Sequence, residues 1–181
     1  FNDVAGTLIT AEDNIMMEAP LISGIAFTRD EAKLTLRGVK DQPGIASSIL
    51  APISEANIEV DMIVQNIGAD FSTDFTFTVA RADFELAHAI LSAVSEQIGA
   101  EEVLGDERIA KLSIVGVGMR SHAGVAAQMF DILAKESINI QMISTSEIKI
   151  SVVIDEKYLE LAVRALHAGF CLEADHGTEP A

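Results

Sequence analysis

The chain repeats itself. Lys33-Leu34-Thr35-Leu36-Arg37-Gly38-Val39 lines up with Lys111-Leu112-Ser113-Ile114-Val115-Gly116-Val117 at a shift of 78 residues. Gly44-Ile45-Ala46 lines up with Gly124-Val125-Ala126 at a shift of 80, so the turn between strand and helix is two residues longer in the second copy. Ile58 and Met62-Ile63 match Ile138 and Met142-Ile143 at that same shift. Apolar positions and turn glycines agree together, which chance likeness between hydrophobic stretches does not produce. In a chain of 181 residues, such a repeat restricts the fold to two small, similar modules in tandem.

The first copy predicts the module. Lys33 to Gly38 alternates with period two, as a half-buried strand does. Asp41-Gln42-Pro43-Gly44 has turn chemistry, and Ile45, Ile49, Leu50 and Ile53 then mark one face of a helix. Pro52 predicts a kink or loosening late in that helix. Ile58–Val64 and Asp74–Val79 read as strands with a turn at 68–70 between them. Asp83 is a predicted N-cap for a helix with Leu86, Ala87, Ile90, Leu91 and Val94 on one face. Val103 and Leu104 make a short closing strand. The order is βαββαβ, so the fold class is α+β: two tandem ferredoxin-like modules with antiparallel sheets and helices on one face. In the second copy Asp155 is the N-cap, Leu159, Ala162, Val163 and Leu166 form the helical face, and Phe170-Cys171-Leu172 is placed as the closing strand. The expected boundaries are a linker at 1–20, a first module at 21–107, a second at 108–173 and a polar tail at 174–181. The leading strand 21–28 is available to pair with the second module.

A formal net charge of -16 argues against nucleic acid and against an anionic membrane surface as partners. Cys171 is the only cysteine, which excludes an internal disulfide and fits a reducing, cytoplasmic setting; it reads as a small buried apolar residue. No apolar run approaches the ~20 residues that span a bilayer, and no basic-then-apolar leader opens the chain. The start at Phe1 reads as that of a fragment or processed product.

Catalytic motifs are missing. There is no Gly-x-x-x-x-Gly-Lys-Ser/Thr loop, and Gly116-Val117-Gly118 lacks the third glycine of a dinucleotide fingerprint. His88, His122, His167 and His176 have no metal-ligand spacing with one another or with Cys171. Ser121-His122 has no orienting acid in view. Neither a catalytic residue nor a metal site is expected. A glycine-bearing turn that opens a helix does present backbone N–H groups and the positive end of the helix dipole, which suit a carboxylate. Asp41, Asp61, Gln65, Ser146 and Glu147 could face the ammonium of an amino acid. The same residues also suit plain turn and surface positions, and both readings stay open on chemistry alone.

The words of the sequence narrow the choice. Ile22-Ser23-Gly24-Ile25-Ala26, Asp41-Gln42-Pro43-Gly44, Val64-Gln65-Asn66, Met119-Arg120-Ser121-His122 and above all Ile143-Ser144-Thr145-Ser146-Glu147-Ile148-Lys149-Ile150-Ser151 resemble the tandem ACT modules of the aspartate kinase regulatory region, over residues 20–173. That resemblance implies a sensor of lysine and threonine that feedback-inhibits the ATP-dependent phosphorylation of aspartate in lysine, threonine and methionine biosynthesis. ATP and Mg would be used by a kinase domain that lies outside this chain, so the chain alone would be inactive and without a cofactor. Gly6-Thr7-Leu8-Ile9-Thr10 looks like the end of that kinase domain, and Met17-Glu18-Ala19-Pro20 resembles an internal start that yields a free regulatory subunit.

The resemblance also assigns sites. A threonine-type pocket would use Asp41, Pro43, Ala46, Gln65, Asn139 and Ile140. A lysine-type pocket would use Asp61, Met119, Ser146 and Glu147. The implied partners are a second copy joined through the ACT modules, and a kinase domain or catalytic subunit. Ala123 stands where the family often has proline, Gly68 where it often has serine, and Pro52 is unusual. The rivals are an ACT regulator of another biosynthetic enzyme, which the Ser-Thr-Ser-Glu-Ile run opposes, and an acylphosphatase-like hydrolase, which would want an arginine where Asp41 and Pro43 stand. An RNA-binding sheet would need aromatics that Ile150–Ile154 does not offer.

Overall fold

Alternation along the first long strand, β2 (Glu31–Lys40), buries Ala32, Leu34 and Leu36 on one face and sets Lys33, Thr35 and Arg37 on the other. The phase then slips. A bulge between Leu36 and Val39 sends Val39 to the core, with Gly38 at φ +64 and its amide held by the Asp74 carboxylate at 3.0 Å. The computed structural model to which these strands belong describes residues 21–68, 72–117 and 123–172.

Module 1 continues through α1 (Ile45–Glu55), β3 (Val60–Ile67), β4 (Ser72–Ala80), α2 (Phe84–Ile98) and β5 (Glu102–Asp106), with its sheet in the order β3-β4-β2-β5. Module 2 holds β6 (Ile109–Val117), α3 (Ala123–Lys135), β7 (Ile140–Thr145), β8 (Lys149–Asp155) and α4 (Leu159–Gly169). Its sheet runs β7-β8-β6-β1, where β1 is Leu21–Thr28. Both are antiparallel ferredoxin-like sheets with helices on one face, the α+β architecture expected from the repeat.

The helix cores repeat with the sequence. Ile45, Ile49 and Ile53 of α1 are buried where α3 buries Val125, Met129 and Leu133, each pair 80 residues apart. Phe84, Ala87 and Leu91 of α2 correspond to Leu159, Ala162 and Leu166 of α4, each 75 apart. These spacings of three, four and seven put one stripe of each helix on its sheet.

Several expectations need correction. The closing strand of module 2 is not Phe170–Leu172. Phe170, Cys171 and Leu172 wrap the end of α4, their amides bonding to Leu166, Ala168 and His167 carbonyls. The edge of β6 is covered instead by β1, paired antiparallel from Leu21↔Val117 to Thr28↔Lys111. Cys171 is exposed, at φ +55, because that wrapping turn lies outside the core. Leu86 is exposed, and Phe84 takes the expected core place. Asp83 makes no side-chain cap; a short 3-10 turn, Arg81–Asp83, leads into α2 instead. Asp155 does accept the Lys157 amide at the matching turn before α4. α1 passes Pro52 and runs on to Glu55, with the Pro52 carbonyl still accepting from Ala56. β3 begins at Val60 and runs to Ile67, later than the sequence pattern places it.

Candidate functional site

The non-helical faces of the two sheets meet each other. Met62 of β3 and Met142 of β7, equivalent in the repeat, pack with Ile109 and Val153 into a small third core. Two lysines tie the edges. Lys33 donates to the Gln141 side chain, and its counterpart Lys111 bonds to Asp61 and Glu31. Asp61 and Gln141 are themselves equivalent at the shift of 80, so each lysine reaches the same point on the other module's edge strand. On the same pseudo-two-fold arrangement, Arg81 meets its own counterpart Glu156 at 3.1 Å and reaches the Ile109 carbonyl. The tie is local, structural and intrachain.

Two crevices open beside these ties. One of about 420 Å³ lies between Lys33, Thr35, Val64 and Thr76 of module 1 and Ile140–Ile143 of module 2. Its floor carries the Thr35–Thr76 hydroxyl pair at 3.0 Å. The other, about 410 Å³, is lined by Asp30, Glu31, Glu59, Asp61 and Lys111 with Val60 and Ala80. Burial works against the charge of Lys33 and lowers its pKa, and the nearby Asp106 only partly offsets this. Burial works the same way on Lys111, but hydrogen bonds to Asp61 and Glu31 and their charges outweigh it, and its pKa is raised.

The residues assigned by resemblance fall into separate places on one chain. Asp41 and Pro43 stand exposed at the end of β2. Gly44, at φ +90, heads α1, its carbonyl accepting from the Ser48 amide at 3.0 Å, and Ala46 is half-buried against the module 1 core. Gln65 lies exposed on β3 opposite Phe75, on the sheet's helix side. Ile140 packs against the module 2 core and lines the same crevice as Val64, the residue before Gln65, and Asn139 is exposed just before β7. Asp61 is engaged by Lys111 at the start of β6. Ser146 and Glu147 form the β7–β8 hairpin, where the Ser146 hydroxyl accepts from the Lys149 amide and Gly116, near the end of β6, bonds to Ile148. About five strand residues, roughly 16 Å, separate these two ends of β6. Met119, Ser121 and His122 lie outside the described residues.

The sequence reading missed Lys33, Lys111, Arg81 and Glu156. For the two lysines the signal lies in the repeat, which pairs Lys33 with Lys111; Arg81 and Glu156 have no such match at the shifts of 78 and 80.

A family model described as "ACT domain" matches residues 35–94 and 112–170, one match on each module. The chain is 55% identical to a chain in the crystal structure of aspartokinase alpha and beta subunits, covering 83% of this chain and 99% of that one with a TM-score of 0.79. It is 41% identical to the ligand-free regulatory subunit of aspartate kinase from Thermus thermophilus, covering 82% and 98%, TM-score 0.78. This chain belongs to the ACT-domain regulatory region of aspartate kinase. Among sequences, the aspartate kinase of Pseudomonas fluorescens is 68% identical over 174 residues, and the aspartokinase of Helicobacter pylori 51% over 176. Each alignment covers 96% of this chain; the chain spans 42% of the first relative and 43% of the second. The two ACT modules thus correspond to the two sheets, and β1, which precedes the first family match, supplies the outer strand of the second ACT sheet. Among the described residues, no helix is long and apolar enough to cross a membrane.

Proposed function

We propose that this ACT pair binds lysine and/or threonine and feedback-inhibits aspartate phosphorylation by the catalytic part of the same enzyme. The observation that carries the reading is the coverage of 98% of the solved regulatory subunit of aspartate kinase from Thermus thermophilus at 41% identity. The local geometry supports it. Turn one presents Asp41 and Pro43 at the head of a helix, a place suited to a zwitterion's carboxylate and ammonium. Asp41, Pro43, Ala46 and Gln65 would form one half of the threonine-type pocket, completed by Asn139 and Ile140 of a second copy. Asp61 of one copy would likewise meet Met119, Ser146 and Glu147 of the other. The separation of these halves on one chain favours a dimer as the binding unit.

The edge strands are fitted for that dimer. β3 and β7 end their sheets and expose the equivalent residues Ile63 (49%) and Ile143 (45%). Pairing β3 of one copy with β7 of the other would hide both edges. The proposed setting is cytoplasmic, and ATP and Mg would serve the catalytic part alone. Effector binding would change the orientation of the catalytic domains, with a coupling of ~1–3 kcal/mol. Titration calorimetry with lysine and threonine, singly and together, tests the reading. Heat from at least one is expected; silence from both at millimolar concentration refutes the sensor.

A further inference from the structure

We infer that Arg81 and Glu156 form the pivot of a hinge between the two modules, a joint that sets the angle between their sheets. Among the described residues the chain passes between the sheets twice, at 29–30 from β1 to β2 and at 107–108 from β5 to β6. Each crossover is pinned by the short turn before a helix. The Arg81 amide donates to the Asp30 carbonyl at 2.9 Å, and the Glu156 amide donates to the Arg108 carbonyl at 3.0 Å. Arg81 and Glu156 are 75 residues apart, the shift that relates α2 to α4, so one pin repeats the other. The two side chains then join the pins. The Arg81 guanidinium meets the Glu156 carboxylate at 3.1 and 3.5 Å, one nitrogen to each oxygen. It also donates to the Arg29 carbonyl in the first crossover and, at 3.4 Å, to the Ile109 carbonyl just past the second. A planar guanidinium presents several donors in a fixed fork, which suits this convergence of acceptors.

The rest of the joint is small. Its buried apolar residues are Met62, Ile109, Met142 and Val153, whereas the modules' own cores hold fourteen and thirteen buried residues. Each module is therefore a stiff body, and a small joint leaves relative motion of the two as the expectation. The Lys33 and Lys111 ties act through long flexible stems on side chains, while Arg81 holds the crossover backbone itself. From the pivot end, β2 runs ten residues to turn one and β8 spans seven to the β7–β8 hairpin, distances of about 20–30 Å. A small rotation at the pivot displaces those far ends most. They carry Asp41, Pro43, Ser146 and Glu147, from which Arg81 is remote, so Arg81 is a positioning residue. The hinge rests on contacts within one chain and holds whether or not an effector binds at either end.

Pulsed electron–electron distance measurement on the 181-residue chain tests the pivot. One spin label sits on the exposed Cys171 of module 2, the other on a cysteine introduced by Gln97→Cys at the exposed end of α2. Diluting the labelled chain in excess unlabelled chain restricts the signal to distances within one chain. The parent should give a single narrow distribution. Arg81→Gln should broaden or split it, and Glu156→Gln, which spares the Arg81 bonds to both crossovers, should do so to a smaller extent. Arg37→Gln, which removes the ion pair with Glu102 inside module 1, should leave it narrow. Amide exchange protection in β4 and β8 should persist in all three variants, which separates a loosened joint from an unfolded module. Should Arg81→Gln cost that protection, Glu156→Gln carries the test. Distributions for Arg81→Gln and Glu156→Gln that match the parent overturn the pivot. Equal broadening by Arg37→Gln, or a parent already as broad as Arg81→Gln, overturns it as well.

Discussion

Lys33 and Lys111 hold the same place in the two modules, yet their pKa values move in opposite directions. Both stems lie against the boundary between sheets, and burial disfavours both charges. The difference is the partner across the boundary. Lys33 meets the neutral Gln141, whereas Lys111 meets Asp61 and Glu31. The repeat has kept the geometry of the tie and made its electrostatics unequal.

Removing the two lysines should therefore have unequal effects. Lys111→Met leaves Glu31 buried without its counter-ion and should cost about 1–3 kcal/mol, below the full figure for a buried pair because Asp61 is half-exposed. Lys33→Met removes a poorly compensated ammonium and should change stability by less than about 1 kcal/mol. Gln141→Asp should copy the Lys111 tie, raise the pKa of Lys33 and stabilise by up to about 1 kcal/mol. Urea unfolding of the three variants decides; equal losses for the two lysine variants contradict the asymmetry.

The same pair fixes a pH response. Lys111 has a raised native pKa, so its stabilisation is complete below the unfolded lysine value near ~10.4 and fades as pH rises through the higher native value. Lys33 has a lowered native pKa, so the cost of burying its charge is present at neutral pH and is relieved as pH climbs from that value toward ~10.4. In a pH series of unfolding free energies, Lys33→Met should remove a rise below that point and Lys111→Met a fall above it. Identical curves for both variants would remove the assignment.

Gly105 offers a packing test. A Cβ there would lie 2.5 Å from the Phe84 ring, which is wedged against His88 and the module 1 core. Gly105→Ala should cost about 1–3 kcal/mol through overpacking. Gly24→Ala is the control, since a Cβ there meets nothing within 4 Å. A thermal midpoint unchanged by Gly105→Ala would show that the ring moves aside freely.

Module order, core stripes and turn one were legible because each depends on short-range periodicity. Ile45, Ile49 and Ile53 announce their helix whatever lies around it. The closing strand of module 2 was misplaced for a physical reason: Phe170-Cys171-Leu172 and Leu21–Thr28 are both apolar, and local pattern does not say which reaches β6. Chain connectivity decides it, since β1 pairs over its whole length while the residues after α4 turn back onto their own helix. The boundary ties were hidden for a similar reason. Lys33 and Arg81 look like solvent-facing charges until the second sheet is set against the first. The effector residues came from resemblance and not from pattern, because Asp41 and Gln65 carry no periodic signal.

Ile63 tests the edge-to-edge dimer. It projects from β3 at 49% exposure, with Phe77 as its partner on β4 and, among the described residues, no strand on its other side. Ile63→Lys places a charge on that edge, which natural sheets use to prevent pairing. Sedimentation should show a dimer for the parent chain and a folded monomer for the variant. A variant that stays dimeric puts the contact elsewhere.

The strongest structural consequence concerns β1. It is the most N-terminal described strand, yet its backbone completes the sheet of the C-terminal module, and Ile22 and Ile25 pack onto that module's core. A chain beginning after Thr28 would keep all four strands of module 1 but leave β6 as a bare edge beside buried Leu112 and Ile114. Module 2 should then lose its cooperative unfolding and module 1 should retain it, because β2, β4 and β5 pair without β1. Hydrogen exchange resolves the two: protection should collapse in β6 and β8 and persist in β2 and β4. A synthetic peptide of residues 21–28 added back should restore protection to β6 if strand pairing is the cause. Full protection of β6 in the shortened chain, with no peptide present, would mean that module 2 closes its sheet without β1.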